Sequence, residues 1–345
     1  MPTIRIASFN IEWMDDWFTK DSDPVAFRPT FRREDHTSNT DETARRAADT
    51  IREIDPDILA IQEGPSRPAE LELFIQQYLS NNGVPIYKFI LSVSGNEQRP
   101  AILYKPNAVN SLRLAPPADI TSLTDGWLAD VNGNEFLETY KFTRIPLVIN
   151  IQIEDDSLQL IVLHTKSSFV NKGKELWENC ETRQNYVHEA LRNRRRNSTE
   201  AMRVRQYVDT ILKDNMKAKI IILGDLNDGP GMDYFENYLS HNTIDVLVGS
   251  AFEPELIFYH AQHDVNPQDR YTAIFDDFVT GESKKHLFLD HILLSPGLTA
   301  TNGLRRVPDS GTIHHIEYNH HTVNNGTFRE NRPSDHRPVS VLLEY

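Results

Sequence analysis

Short runs of β-branched and leucine residues recur along this chain, bounded by Gly, Pro, Asn or Asp, and each delivers a polar residue at or near its end. Residues 4–9 lead to Asn10, 58–61 to Gln62 and Glu63, 160–163 to His164, and 220–223 through Gly224 to Asp225. Residues 287–294 carry Asp290 in their middle, and Ser334-Asp335-His336-Arg337-Pro338 precedes a closing run at 339–343. Runs of this length and composition predict buried strands. Further strands are predicted at 101–104, 146–153 and 158–163. The last two, separated by Glu154-Asp155-Asp156-Ser157, read as an antiparallel hairpin.

Three stretches switch to helical spacing. Residues 43–54 place Ala44, Ala47, Ala48, Ile51 and Ile54 on one face, with Asp41 or Thr43 as cap and Asp55-Pro56 as the stop. A second helix is predicted at 71–79, ended by Asn81-Asn82-Gly83. A third is predicted at 201–212, with Ser198 or Thr199 as cap and Ala201, Val204, Val208, Ile211 and Leu212 on its apolar side. Three helices cannot cover so many apolar strands, so sheet must pack on sheet.

Polar stretches at 15–41, 171–197 and 305–332 read as loop insertions. Trp13 and Trp17, beside the first, either stack on a substrate at the site rim or pin the loop. His314, His315, His320 and His321, in the third, read as ordinary loop histidines near a site entrance, because their spacing is irregular and no thiolate accompanies them.

Composition narrows the class. No linker divides the 345 residues, so the polar strand ends from 10 to 336 imply one domain over 1–345. With 39% hydrophobic and 25% charged residues the chain reads as globular. Neither a membrane span nor a basic leader is evident, and the single Cys180 rules out an internal disulfide framework, so the expected location is the cytoplasm. The net charge of −14 argues against loose, charge-driven binding of a polyanion. Against that background, residues 192–205 hold six arginines, Arg194 and Arg195 among them, and only Glu200 opposes them. The run is either a solvated helix face or a surface that tracks phosphates. No protein partner is indicated.

The strand-end residues share a chemistry. A hard divalent cation such as Mg²⁺ takes oxygen ligands and completes its shell with water and substrate phosphate. Glu63, Asp225, Asp335 and the amide oxygen of Asn10 are ligands of that kind. Phosphoester hydrolysis further needs a positioned water, relief of charge on the phosphoryl oxygens and help for the leaving oxygen, which imidazoles and amides supply. Singly, an Asn or Asp after a strand is a turn former. Six such residues together point to phosphate chemistry.

The segments Ala7-Ser8-Phe9-Asn10, Gln62-Glu63, Leu163-His164-Thr165-Lys166-Ser167, Gly224-Asp225-Leu226-Asn227, Leu289-Asp290-His291 and Ser334-Asp335-His336-Arg337-Pro338 resemble, in order, those of the endonuclease/exonuclease/phosphatase superfamily. That family includes exonuclease III, apurinic endonucleases, pancreatic deoxyribonuclease, inositol polyphosphate phosphatases and neutral sphingomyelinases. The resemblance implies an α/β four-layer sandwich: two mixed, mainly antiparallel sheets packed face to face, with helices outside. It implies Glu63 as the principal ligand of Mg²⁺ (or Mn²⁺), supported by Asn10, with Asp335 close to the metal. Asp225 would orient or deprotonate the attacking water, and Asn227 would hold that geometry and contact the phosphate. His336, oriented by Asp290, would stabilise the phosphoryl oxygens or act as the base, and His164 would be a second phosphate contact. An Asp–His pair also makes independent sense, since the carboxylate fixes the ring and favours its protonated form.

Lys166, Arg144, Arg194 and Arg195 are candidate substrate contacts; Lys166 is alternatively solvated, and Arg144 alternatively braces the site. The leading expectation is a phosphodiesterase acting on DNA or RNA. The alternative is a small phosphorylated substrate such as a phosphoinositide, a sphingomyelin-like lipid or a nucleotide, favoured by the acidic charge and by His164-Thr165-Lys166-Ser167, which is similar to phosphatase and sphingomyelinase members. A non-catalytic binding module is the third reading.

Overall fold

The computed structural model describes residues 1–20, 22–33, 36–93, 97–230 and 242–345. Alternation along the strands decides the layering. In Thr3–Asn10, Ile4 and Ile6 face one way and Ala7 and Phe9 the other, and both sets are buried. A strand buried on both faces must lie between two layers.

One sheet of seven strands runs in the order Arg305–Arg306, Val339–Glu344, Thr3–Asn10, Ile58–Gly64, Arg99–Tyr104, Lys88–Leu91, with Thr312–Ile313 also pairing to Val339–Glu344. A second, of six strands, runs Tyr259–His260, Asp290–Leu294, Lys219–Asp225, Asp156–His164, Leu147–Ile153, Ser111–Leu114. Each is built around one parallel pair flanked by antiparallel neighbours. In the first sheet the pair is Thr3–Asn10 with Ile58–Gly64, joined through the helix Thr40–Ile54; in the second it is Asp156–His164 with Lys219–Asp225, joined through the helix Arg183–Asp214. A helix is the usual way to carry a chain back for parallel pairing.

The inner faces meet in a dry layer, where Ile4, Ile6, Ile58, Ala60 and Ile102 pack with Leu160, Val162, Ile221, Leu223 and Ile292. Outside the first sheet, Ala7, Phe9, Leu59 and Ile61 are covered by Ala44, Ala47 and Ile51 of one helix and by Leu71 and Phe74 of the helix Pro68–Tyr78. Outside the second, Ile161, Leu163, Ile220 and Ile222 are covered by Ala201, Val204, Val208 and Leu212. The order is helix, sheet, sheet, helix, the α/β sandwich expected. No helix among the described residues is long and apolar enough to cross a membrane.

Several local expectations are corrected. The first helix begins at Thr40, capped by Asn39, whose Oδ1 accepts from Glu42 N at 3.1 Å, rather than by Asp41 or Thr43. The hairpin turn is tighter than read, because Ile153 pairs with Asp156 and leaves only Glu154 and Asp155 to turn. The third helix is 32 residues long, so Ser198 and Thr199 lie inside it, and most of the stretch 171–197 is helical rather than loop. Its inward face buries Asn193, Arg194, Asn197, Glu200 and Arg205. These are polar residues satisfied by partners, so no apolar stripe announces that half of the helix.

The other insertions also contribute to the core. Within 15–41, Trp17, Phe18 and Phe31 are buried under the first sheet, and Thr30–Arg33 pairs with His36–Asn39; residues 21, 34 and 35 lie outside the described residues. Trp17 therefore pins this segment. Residues 305–332 supply two strands of the first sheet. Their histidines are separated: His314 bonds Ser340, His315 bonds the Asp269 carbonyl, and His320 and His321 share Glu53. Glu53 adjoins Ile54, whose carbonyl takes the Arg5 guanidinium near the start of Thr3–Asn10, at the opposite end of that strand from Asn10. His320 and His321 therefore lie away from the polar strand ends.

Removing a fully buried indole costs transfer and cavity energy, so Trp17→Ala is expected to destabilise the protein by about 3–5 kcal/mol. Urea unfolding measures this, and a change near zero would contradict the packing of this segment.

Candidate active site

The alternation that builds the dry layer also aims the polar residues. Asn10 follows Ile4 and Ile6 at even spacing, His164 follows Leu160 and Val162, Asp225 follows Ile221 and Leu223, and Asp290 precedes Ile292, so all four face inward where the apolar filling ends. Glu63 has the wrong parity for this, since Leu59 and Ile61 face the helices. A register shift between Ile61 and Gly64, with Glu63 at φ 56°, turns its side chain into the site. At Gly224 the backbone takes φ 139° and runs so close to the neighbouring strand that a Cβ would stand 1.9 Å from the Leu163 carbonyl oxygen, so only glycine fits before Asp225.

These residues converge. Asn10 Nδ2 donates to Asp225 Oδ2 at 2.9 Å and lies 3.4 Å from Glu63 Oε1. His164 Nε2 is 3.6 Å from Asp225 Oδ2 and 3.8 Å from Glu63 Oε1. His336 Nδ1 is 2.7 Å from Asp290 Oδ2, while its Nε2 lies 3.8 Å from Asp225 Oδ2 and 3.9 Å from Asp335 Oδ1. Asn227 N donates to Asp225 Oδ1 at 2.8 Å, and Asn227 Nδ2 to the Thr165 carbonyl at 3.2 Å.

Burial and neighbouring charge set the protonation states. Burial, then the charge of Asp335, pushes Glu63 up to about 7. Burial, assisted by Asp290 and opposed by His336, pushes Asp225 up to about 6. For His336 burial disfavours the cation, but Asp290, Asp225 and Asp335 outweigh it and hold the pKa well above the usual imidazole value. His164 is held well below that value by burial and by the charges of Arg144 and His336, so it is neutral.

Largely buried acids that repel one another in this way match the donor set of a hard divalent cation, with the partly exposed Glu63 and Asp335 as the carboxylates that would hold it. Asp225, Asp290 and His336 also lie within 4.8 Å of one another. There, however, His336 Nδ1 is committed to Asp290, which makes this triangle an oriented imidazole facing a second acid.

Some expected residues take other parts. Asn10 enters the cluster as a donor through Nδ2, and its Oδ1 accepts from Glu12 N at 3.0 Å. Arg194 is buried against Asp228 at 3.4 Å, and Arg195 turns to the Asn132 carbonyl at 3.4 Å, so neither faces the cluster. Arg144 bonds Gln98 Oε1 at 2.6 Å and the Thr165 carbonyl at 3.2 Å. Lys166 is half-buried beside it. Trp13 lies at the rim, with Arg33 4.5 Å from its ring centre.

Sequence reasoning missed Thr272, whose Oγ1 accepts from Leu289 N and Asp290 N at 3.0 and 3.1 Å, and Ser334, whose Oγ donates to the Asn10 carbonyl at 2.6 Å. It also missed a brace behind Glu63. Glu12 and Trp13 both adopt left-handed backbone (φ 56° and 53°), which aims Trp13 N at Glu63 Oε2, 2.8 Å away. Such strain persists only where the surroundings impose it. Here the Glu12 carboxylate is buried between Arg329 at 3.1 Å and Arg332 at 3.0 Å, and Arg329 also bonds the Ile11 carbonyl at 2.7 Å. The only signal in the sequence was an acid two residues after Asn10.

A sequence model described as the Endonuclease/Exonuclease/phosphatase family matches residues 7–336. Among solved structures, truncated TDP2 of Caenorhabditis elegans superposes with a TM-score of 0.51 at 14% identity, over 99% of this chain and 98% of that one. TDP2 of D. rerio complexed with a single-strand DNA product superposes at 0.50 and 13% identity, over 99% of each chain. At these identities the likeness is one of fold. No curated protein matches the chain.

Glu12→Ala would leave two guanidinium groups with no carboxylate between them, one of them buried, and is expected to cost about 3–5 kcal/mol of stability. It should also weaken cation binding by releasing Trp13 N from Glu63. Chemical denaturation and calorimetric Mg²⁺ titration read the two effects, and wild-type values in both would rule out the brace.

Proposed function

The chain belongs to the endonuclease/exonuclease/phosphatase family, whose members hydrolyse phosphoester bonds with a divalent metal, and from that premise we propose that it is a Mg²⁺-dependent phosphodiesterase acting on DNA or RNA. The observation that carries this reading is the meeting of Asn10, Glu63, His164, Asp225 and the Asp290–His336 pair at one end of the interface between the two sheets. The fold is shared with a protein that holds a single-strand DNA product. We place the whole of 1–345 in one catalytic domain working in the cytoplasm.

Glu63, with Asp335 beside it, would hold the cation, which when bound supplies positive charge against the phosphoryl oxygens. Asp225 is the base: Asn227 N fixes one of its oxygens and Asn10 Nδ2 orients the other, and its raised pKa suits it to take a proton. The water proton passes to Asp225 as the water oxygen bonds to phosphorus and the bond to the leaving oxygen breaks. His336, whose pKa is raised by Asp290, Asp225 and Asp335, is suited to donate from Nε2 to a phosphoryl oxygen, held in place by Asp290. Neutral His164 offers a second hydrogen bond to the phosphoryl group.

A second reading, a small phosphorylated substrate, is favoured by the fate of the arginine run. Among the described residues Arg194, Arg203 and Arg205 are held by Asp228, the Ser122 carbonyl and Asp209, which shortens the basic run open to a polymer.

Purified protein with Mg²⁺ should cleave single-stranded DNA, RNA or bis(p-nitrophenyl) phosphate, and chelation should abolish this. Asp225→Asn and His336→Ala should each lower kcat/KM by a factor on the order of a thousand. Intact substrates throughout that panel, with Mg²⁺ bound by calorimetry, would defeat the proposal.

A further inference from the structure

Among the described residues, three cations beside the site form no ion pair. Arg144 spends its guanidinium on neutral oxygens, those of the Gln98 side chain and the Thr165 carbonyl. Lys166 Nζ reaches only the Ser167 carbonyl, at 2.9 Å. Arg196 Nε is buried with no hydrogen-bond partner among the described residues. Within those residues no carboxylate lies at ion-pair distance from any of the three. On the long helix Arg192 meets Glu189 at 3.6 Å, Arg194 meets Asp228 at 3.4 Å and Arg205 meets Asp209 at 2.5 Å, while Arg195 and Arg203 turn away to the carbonyls of Asn132 and Ser122.

The three are near enough to act on one another, since the charges of Arg144 and Arg196 add to burial in lowering the Lys166 pKa, against Glu200 and Glu189. Glu200 offsets part of this charge at a distance, but its oxygens accept from Tyr140 Oη, Thr143 N and Lys166 N, each at 2.8 Å, and make no ion pair with the three. The platform is firmly built, because Lys166 N bonds Glu200 and the Lys166 carbonyl accepts from Asn197 at 2.9 Å, tying Lys166 to the helix that carries Arg196. It is contiguous with the phosphoryl site through His164 and Thr165. Among the described residues no carboxylate forms an ion pair with these three cations. Like charges held together in a half-buried setting are costly unless an outside anion joins them.

We propose that Arg144, Lys166 and Arg196 form a second anion subsite that takes the phosphate next to the phosphoester being cleaved, so that the substrate carries phosphates in series, as a nucleotide or oligonucleotide does. This rests on the phosphodiesterase reading above and decides within it. A phosphocholine headgroup would bring a quaternary ammonium against three cations and is disfavoured.

The test compares kcat/KM for a dinucleotide bearing a terminal phosphate with kcat/KM for bis(p-nitrophenyl) phosphate, in Mg²⁺. Lys166→Met and Arg196→Met should each lower the ratio about tenfold or more, through KM. Each should also reduce the salt dependence of KM for the dinucleotide by about one charge. Arg203→Met, which removes equal charge elsewhere on the same helix, should leave the ratio unmoved. A ratio unmoved in Lys166→Met and Arg196→Met, or moved equally by Arg203→Met, overturns the subsite. If wild-type protein turns over neither substrate, the phosphodiesterase reading fails by itself. Calorimetry of inorganic pyrophosphate binding to the Mg²⁺-loaded protein then decides the subsite: about tenfold weaker binding in Arg196→Met upholds it, and equal affinity overturns it.

Discussion

The amide of Asn10 reaches across the gap between two sheets, donating at 2.9 Å to Asp225 on the far sheet while lying 3.4 Å from Glu63 on its own. Two buried carboxylates brought to one place repel each other and resist losing their water. A neutral donor between them relieves part of that cost and fixes their separation. Its orientation is fixed in turn, since Glu12 N donates to the amide oxygen, while Ser334 Oγ anchors the backbone beneath it through the Asn10 carbonyl. The site therefore depends on one side chain whose hydrogen-bonding groups are assigned from several directions.

The remaining charges sort themselves around that bridge. The acids nearest it, Glu63 and Asp225, are the two pushed upward, and the imidazoles divide in the opposite senses: His336, beside three carboxylates, stays charged, while His164, beside Arg144 and His336, stays neutral. Two histidines in one pocket thus have different tasks because of what each faces. The pattern is that of a centre completed by added positive charge near Glu63 and by an anion toward Lys166 and Arg196.

Much of this was legible in the sequence because period-two alternation carries two kinds of information. The spacing that marks Ile4, Ile6, Leu160, Val162, Ile221 and Leu223 as filling also places Asn10, His164 and Asp225 on the same inward side. The sandwich and the identity of most clustered residues follow from that regularity. The rest breaks that regularity. Glu63 is legible at its strand end, but its parity is outward and the bulge that brings it in depends on backbone pairing with Arg99–Tyr104. The first half of the long helix hides because its inner face is built from Arg194–Asp228 and Asn197 contacts rather than apolar residues. Trp17 and the strands within 305–332 sit among polar residues, so local composition concealed their burial. The Asn10 amide is held by groups two and 215 positions away, which no local pattern records.

The layer of isoleucine, leucine and valine between the sheets has a role beyond cohesion. Facing sheets stand about 10 Å apart because side chains of that bulk interdigitate between them. Half of the reactive groups hang from one sheet and half from the other, so the thickness of that filling acts as the gauge block that spaces them. Close-packed interiors transmit small changes in volume rather than absorbing them. A methyl group gained or lost between Ile6 and Leu160, far from any chemistry, would be felt as a change in reach between Asn10 and Asp225.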